Sequence, residues 1–161
     1  MKVADAITGF YAVLDRDDEE LARTLLGSGA KVLQIRIKPD VPPGAGELVR
    51  IARLCRTLCD AAGAALIVND RIDVALAAGA DGVHLGQTDL GLRDARRIVG
   101  DRLWIGVSTH NLAQVTLARA VATGTIINDD LVTNIPMLDM RGLLGLLLLI
   151  GLVGGLSLRR R

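Results

Sequence analysis

The 161-residue sequence has few aromatic residues, with one Phe, one Tyr and one Trp. Proteins that bind single-stranded nucleic acid by stacking need several aromatic side chains, so this scarcity argues against that class. The net charge is only +1, so the sequence also lacks the excess of positive charge that a polyanionic partner requires. We therefore expect no nucleic-acid partner.

Cysteine is also scarce, and the first twenty residues lack a long apolar run. Cys55 and Cys59 are four residues apart, which is the spacing of neither a redox pair nor a zinc knuckle. We predict that both are reduced packing residues on one face of a helix. Without an apolar leader, the first part of the chain has no secretory signal and is expected in the cytoplasm.

What the sequence does have is a repeated alternation of apolar runs and amphipathic stretches. The runs are rich in Val, Ile and Leu and end in polar residues, which is typical of buried strands. Five strand–helix units predict an α/β fold with a parallel sheet, either an incomplete (β/α)8 barrel or an open doubly wound sheet. The predicted strands are residues 9–15, 31–38, 64–70, 81–87 and 103–110.

The pattern changes after about residue 122, which predicts three regions: 1–122, 123–141 and 142–161. Residues 123–141 are polar and rich in turn formers, and 142–158 are 17 residues without a charge. That length is at the short end of what crosses a bilayer, so a hydrophobic helix with possible membrane contact is predicted there. The repeat stops at five units, whereas a barrel needs eight, so open strand edges that could pair with a second copy are also expected.

Polar residues at the ends of the predicted strands are the candidates for chemistry, because parallel α/β proteins bind ligands there. Gln34, Arg36 and Lys38 share one strand face, and Ile35 and Ile37 share the other. Two cations on one strand end predict an anion site, most naturally for phosphate. The alternative is an exposed edge strand with a solvated basic face.

Asp70 and Asp89 follow neighbouring predicted strands and are expected to converge above the sheet. Two carboxylates opposite a basic pair suit Mg²⁺ that bridges phosphate oxygens. Each aspartate also stands at the start of a predicted helix, so a capping role is the alternative.

Three further residues lie on predicted strands four and five. His84 alternates with apolar neighbours and is either a buried core residue or a catalyst. Ser108 offers a hydroxyl before a helix, which suits either a phosphate contact or a capping role. His110 is expected at the surface.

The stretches "QIRIK", "NDRIDVALAAGADGVHLGQTD" and "IGVSTHN" resemble thiamine-phosphate synthase over about residues 8–120. The resemblance implies a (β/α)8 barrel that joins hydroxymethylpyrimidine diphosphate to thiazole phosphate and releases pyrophosphate. It implies that residues 34–38 and Asn69 hold the pyrimidine diphosphate, with Arg36 and Lys38 assisting departure of the diphosphate. It further implies Mg²⁺ at Asp70 and Asp89, and contact of the pyrimidine with Ser108 and His84.

The resemblance ends after Thr123. The family's Thr-x-Thr-Lys segment and its glycine-rich phosphate-binding turn do not follow, so the pyrimidine and Mg²⁺ half of the site is present without the thiazole-phosphate half. Activity of this chain is therefore expected to be impaired. A thiazole tautomerase-like barrel, in which His84 or His110 moves protons, is an alternative function.

The end of the chain resembles a bacterial C-terminal sorting signal of the Ile-Pro-Thr-Leu type, with Met137 where Thr is expected. Such a signal implies export, whereas the first 122 residues imply a cytoplasmic enzyme. We interpret the residues beyond about 120–124 as joined from another gene. A membrane-anchored surface protein with a vestigial barrel half is the remaining alternative.

Overall fold

The computed structural model describes residues 9–38, 40 and 43–121. In this part of the chain, five strands alternate with five helices, as the apolar runs predict. The strands are β1 Phe10–Leu14, β2 Ala30–Ile35, β3 Ala65–Asn69, β4 Gly82–Leu85 and β5 Trp104–Val107. The helices are α1 Glu19–Gly27, α2 Ala45–Ala62, α3 Ile72–Ala78, α4 Leu92–Val99 and α5 Leu112–Val121.

All five described strands are parallel, and each pairs with the next strand along the chain. The α/β class and the parallel sheet are therefore confirmed. A doubly wound sheet reverses its strand order at a switch point, and no reversal occurs within β1–β5. The observed order agrees with consecutive strand–helix–strand units laid side by side.

The two faces of the sheet differ because side chains alternate along each strand. On one face, Leu33, Leu66, Val83 and Ile105 pack with helix residues into the main hydrophobic core; we call this the helix-covered face. We call the other the opposite face. Its buried cluster consists of strand residues, with two partly buried aromatic residues beside them: Val32, Ala65 and Ile67, with Tyr11 and Trp104.

Helix α2 carries both cysteines on its buried face, as their four-residue spacing predicts. Ile51, Cys55 and Cys59 are buried, and both cysteines are free thiols, as predicted. Burial raises the pKa of the Cys55 thiol to about 11 and that of Cys59 to about 12. Both thiols are therefore protonated at neutral pH and act as small apolar packing groups.

Helix ends are stabilised by local signals in the sequence. Gly63 and Gly79 adopt left-handed conformations (φ +62° and +66°) after α2 and α3, which glycine does without steric cost. Asn111 accepts a hydrogen bond from the backbone N–H of Gln114 at 3.0 Å and so caps the start of α5. Gly27 is the last residue of α1, and Ser28 follows it as the C-cap.

An ion pair between Arg56 and Asp81 links α2 to the amino end of the sheet. Arg56 has a side chain only 18% exposed, although arginine usually lies at the surface. It lies 2.5 Å from Asp81, whose carboxylate also accepts a hydrogen bond from the buried backbone N–H of Leu66 at 2.8 Å. The Arg56 guanidinium also donates to Ala64 O at 3.2 Å, so it connects α2 to the residues that directly precede β3 and β4.

The predicted regions 123–141 and 142–161 lie outside the described residues, as do the sorting-type motif and the predicted hydrophobic helix. None of the helices between Gly9 and Val121 is both long and apolar enough to cross a bilayer.

Candidate functional site

An ion pair between Lys38 and Asp70 stands just beyond the carboxyl ends of β2 and β3. Lys38 Nζ lies 2.9 Å from Asp70 Oδ2. Ile35 pairs with Val68 near the ends of these strands, so the segments that follow them emerge side by side. The Lys38 side chain is 53% exposed and that of Asp70 only 26%, so the carboxylate is the more enclosed partner.

Asp70 is held in an unusual backbone conformation. Its φ is +63°, and Arg71 N donates to Asn69 O at 2.8 Å across a tight turn centred on Asp70. Its own N–H donates to His84 O at 2.8 Å, which ties the turn to β4. A non-glycine residue in this region costs about 1–3 kcal/mol, and such strain is concentrated at functional sites.

Burial raises the pKa of Asp70, and the neighbouring Asp89 carboxyl raises it further, while the Lys38 ammonium opposes both effects. The two predicted carboxylates therefore do converge. Asp89 is held in place because its Oδ2 accepts a hydrogen bond from Gly86 N at 2.7 Å. Two adjacent carboxylates beside one lysine form a site where a cation would be stabilised.

The two carboxylates of Asp70 and Asp89 are the candidate metal ligands of this site. Among the described residues, no group of three or more His, Cys, Asp or Glu side chains could hold an ion. Mg²⁺ commonly uses only one or two protein carboxylates and completes its shell with water and substrate phosphates. Asp70 and Asp89 fit that pattern and do not form a closed structural metal site.

A chain of hydrogen bonds crosses the opposite face below this pair. The Tyr11 hydroxyl donates to Gln34 Oε1 at 2.5 Å, and Gln34 Nε2 donates to Asn69 Oδ1 at 3.0 Å. Gln34 is only 3% exposed, so its amide needs both partners.

His84 and Ser108 form a second polar pair on the same face. His84 Nε2 lies 2.9 Å from Ser108 Oγ, and the imidazole is only 4% exposed. The ring packs against Gly106, where an added Cβ would lie 2.8 Å from His84 Nδ1. Gln87 donates to the carbonyl oxygen of Ser108 and so connects the loop after β4 to the end of β5.

Not all predicted site residues join this arrangement. Arg36 is exposed, and its guanidinium makes no ion pair with any described residue; its backbone N–H donates to Leu14 O at 2.9 Å. The side chains of Ile35 and Ile37 pack with the core on the helix-covered face and do not reach the polar groups of the opposite face. His110 is exposed, as expected.

A cavity of about 380 Å³ lies beside the ion pair but on the helix-covered side of the sheet. Its lining is mainly apolar, including Leu48, Val68 and Val74, with Lys38 and Asp70 among the lining residues. The Gln34 amide and the His84 imidazole are not part of its lining. We therefore centre the candidate site on the polar groups of the opposite face and the charged groups above them.

Sequence reasoning missed Tyr11, Gln87 and Gly106. The alternation in "FYAVL" could have indicated that Tyr11 and Val13 share a face. Which residue the hydroxyl reaches depends on how β1 pairs with β2, and no local pattern contains that information.

Comparisons with known proteins agree on one family. The family model for thiamine monophosphate synthase matches residues 6–130. The thiamine-phosphate synthase of Anaeromyxobacter dehalogenans is 44% identical over 114 residues, covering 70% of this chain and 49% of that relative. That of Methanoculleus marisnigri is 47% identical over 105 residues, covering 65% of this chain and 48% of the relative.

A solved structure is similar as well. The thiamine phosphate pyrophosphorylase from Pyrococcus furiosus superposes with a TM-score of 0.65 at 35% identity, over 70% of this chain and 55% of that one. The chain thus spans about half the length of the curated relatives it matches.

Proposed function

The chain belongs to the thiamine monophosphate synthase family, and we propose that it binds hydroxymethylpyrimidine diphosphate, with Mg²⁺, for transfer of the pyrimidine to thiazole phosphate. The single observation that carries this proposal is the convergence of Lys38, Asp70 and Asp89 beyond neighbouring strands. One cation and two carboxylates at this edge are the groups that a metal-bound diphosphate requires.

In this proposal, the sheet is part of a (β/α)8 barrel wall, and the opposite face lines its interior. Gln34, Asn69, His84 and Ser108 face the pyrimidine ring. Ile35 and Ile37 contribute only backbone groups. The site would work in the cytoplasm.

Each charged residue has a distinct task. Asp70 and Asp89 would hold Mg²⁺, which neutralises charge on the diphosphate when it is bound. Lys38 would move from Asp70 toward a diphosphate oxygen, because its half-exposed side chain is free to reorient. Arg36, whose guanidinium makes no ion pair with a described residue, would bind another diphosphate oxygen through its planar fork.

The reaction breaks the bond between the pyrimidine methylene carbon and the diphosphate oxygen, and the electron pair leaves with pyrophosphate. The thiazole nitrogen then donates its lone pair to the methylene carbon, giving thiamine phosphate. No step needs a strong general base. The residues of this chain contribute by stabilising the departing negative charge.

The alternative of a thiazole tautomerase-like protein gains no support from the site. Proton transfer alone would not require two carboxylates next to a lysine, whereas diphosphate departure does.

Calorimetric titration of the purified chain with hydroxymethylpyrimidine diphosphate, with and without Mg²⁺, tests the proposal. Lys38→Ala should weaken binding about tenfold or more, because a charge-assisted contact contributes about 1.5–3 kcal/mol. Lys31→Ala is the matched control, since Lys31 is an exposed lysine in β2 toward the other end of the same strand.

Removal of Mg²⁺ with a chelator should weaken binding of wild type as well. Addition of thiazole phosphate should yield thiamine phosphate, detected after chromatography, at the impaired rate that the sequence predicts. Absence of Mg²⁺-dependent binding in wild type, or equal losses in the two lysine variants, would refute the proposal.

A further inference from the structure

We propose that Gln87 is a positioning residue for the metal site: its side-chain amide fixes the turn of residues 86–89 to the end of β5 and so holds the Asp89 carboxylate beside Asp70. The inference rests on the proposed function, in which Asp70 and Asp89 hold Mg²⁺. It adds a residue that binds neither metal nor substrate and acts through the placement of a carboxylate.

The turn begins where the chain leaves β4. Leu85 pairs with Val107, and Ser108 N donates to Leu85 O at 3.0 Å, so the β4–β5 ladder continues past the last pair of the two strands. A regular parallel ladder would next use the backbone N–H of Gln87 as the donor to Ser108 O. It is the side-chain amide of Gln87 that donates to this carbonyl oxygen. The side chain thus takes the place of a backbone donor, and the backbone can turn away from the sheet at this residue.

The direction of this hydrogen bond is fixed by its acceptor. Ser108 O is a backbone carbonyl oxygen and has no hydrogen to donate, so Gln87 must present Nε2 to it. Gln87 is exposed and Ser108 is half-buried, so water competes with the contact, and its net contribution to the stability of the fold is small. Loss of the contact is therefore expected to move the turn and to leave the fold intact.

Inside the turn, the Asp89 side chain folds back onto the first residue. Asp89 Oδ2 accepts a hydrogen bond from Gly86 N at 2.7 Å, and Asp89 N lies 3.4 Å from Gly86 O. A Cβ added to Gly86 would lie 3.1 Å from Asp89 Oδ2, which is closer than ordinary van der Waals contact. Glycine therefore lets the carboxylate approach the backbone this closely, and the carboxylate moves with the turn.

Both candidate metal ligands are tied to the end of β4, by different means. Asp70 N donates to His84 O at 2.8 Å, so a backbone hydrogen bond ties its segment to the β3 side of β4. The turn that carries Asp89 is tied on the β5 side, through Gln87 and Ser108. Because the second tie depends on one side chain, a substitution at Gln87 can loosen Asp89 while Asp70 stays in place.

Binding of Mn²⁺ to the ligand-free chain, measured by electron paramagnetic resonance, tests the metal site directly, because Mn²⁺ takes the same oxygen ligands as Mg²⁺. Gln87→Met keeps the length of the side chain but removes the donor. It should weaken Mn²⁺ binding about fivefold, which corresponds to one hydrogen bond of about 1 kcal/mol. Gln87→Asn keeps the amide but shortens its reach, and it should give a similar loss. Thr88→Val changes the exposed next residue of the same turn, and as the control it should bind Mn²⁺ like wild type.

Gly86→Ala supplies an independent perturbation of the same carboxylate. The added methyl displaces Asp89 without removing the amide of Gln87, so this variant should also weaken Mn²⁺ binding. Wild-type affinity in the two Gln87 variants would overturn the inference, whatever Gly86→Ala does. An equal loss in Thr88→Val, or a wild type that binds no Mn²⁺, would overturn it as well.

A metal-free measurement separates this inference from the proposed function. In ¹⁵N relaxation experiments on both Gln87 variants, the backbone amides of Thr88 and Asp89 should fall from the order parameter of rigid backbone, about 0.85, toward about 0.6. The amide of Asp70 should stay rigid. Unchanged order parameters would overturn the positioning role even if wild type binds metal and diphosphate. Failure of wild type to bind hydroxymethylpyrimidine diphosphate would refute the proposed substrate, and the Mn²⁺ and relaxation data would still decide the role of Gln87.

Discussion

Replacing Asp81 with alanine should destabilise this fold more than any change at the surface around it. Asp81 Oδ2 accepts two hydrogen bonds, one from Leu66 N at 2.8 Å and one from Arg56 at 2.5 Å. Leu66 is completely buried, so its N–H cannot turn to water when the carboxylate is lost. The substitution therefore leaves the backbone N–H of Leu66 without an acceptor and removes one of the two carboxylates that pair with Arg56.

The magnitude can be worked out from these two contacts. An unsatisfied buried N–H costs about 1–3 kcal/mol. Arg56 keeps its contacts with Asp60 at 2.7 Å and with Ala64 O at 3.2 Å, so losing Asp81 adds only about 1 kcal/mol, after allowing for the 33% exposure of that carboxylate. We expect Asp81→Ala to lower the free energy of unfolding by about 3 kcal/mol.

The same arginine supplies the matched control. Asp60 also pairs with Arg56, but its side chain is 67% exposed. Asp60→Ala should therefore cost less than about 0.5 kcal/mol. Asp81→Asn should lower the free energy of unfolding by an amount between those of the two alanine variants. Its amide oxygen can still accept the hydrogen bond from the backbone N–H of Leu66 in β3.

Urea unfolding of wild type and the variants measures these differences. With a slope of about 2 kcal/mol per molar urea, Asp81→Ala should lower the midpoint by about 1.5 M. Ligand affinity should not change, because this pair lies at the amino end of the sheet. Equal midpoints for Asp81→Ala and Asp60→Ala would refute the reasoning.

Two further predictions concern the site. Gly106→Ala should push the His84 ring away from Ser108 and cost about 1–3 kcal/mol, because the added methyl would lie 2.8 Å from Nδ1; unchanged imidazole ¹⁵N signals would contradict this. Asp70→Asn should stabilise the metal-free chain, since asparagine tolerates the positive φ and has no charge to bury. The pKa of Asp70 is raised in the folded state, mainly by burial and further by Asp89. The wild-type fold therefore loses stability as the pH rises from the ordinary pKa of an aspartate to this raised pKa, because the buried carboxyl ionises over that interval. The free energy of unfolding of Asp70→Asn, measured with urea, should exceed that of wild type by an amount that grows over this pH interval. A difference that stays constant with pH would count against this explanation.

Much of the fold could be predicted from local pattern. Runs of Val, Ile and Leu located all five described strands, because a parallel strand covered on its helix side must be apolar over several residues. The predicted strands were too long at their carboxyl ends, where Lys38 and Ser108 already lie in loops. A run of polar residues after a strand does not indicate where the ladder of hydrogen bonds stops.

The candidate site was predicted in part. That Asp70 and Asp89 would approach each other followed from their places after neighbouring parallel strands. That Lys38, and not Arg36, would pair with Asp70 did not follow, because both follow the same strand and carry the same charge. The choice depends on how the chain leaves β2, which is a matter of tertiary geometry.

The sequence by itself determined the order of the elements, the apolar side of each strand and the polar character of the strand ends. These properties depend on side-chain alternation and helical periodicity, which act over a few residues. Only the tertiary structure decided that Tyr11 reaches Gln34, that His84 lies over Gly106 and that Arg56 is enclosed by Asp81. Each of these contacts joins residues more than twenty positions apart, so its geometry is set by strand register and by helix packing on the sheet.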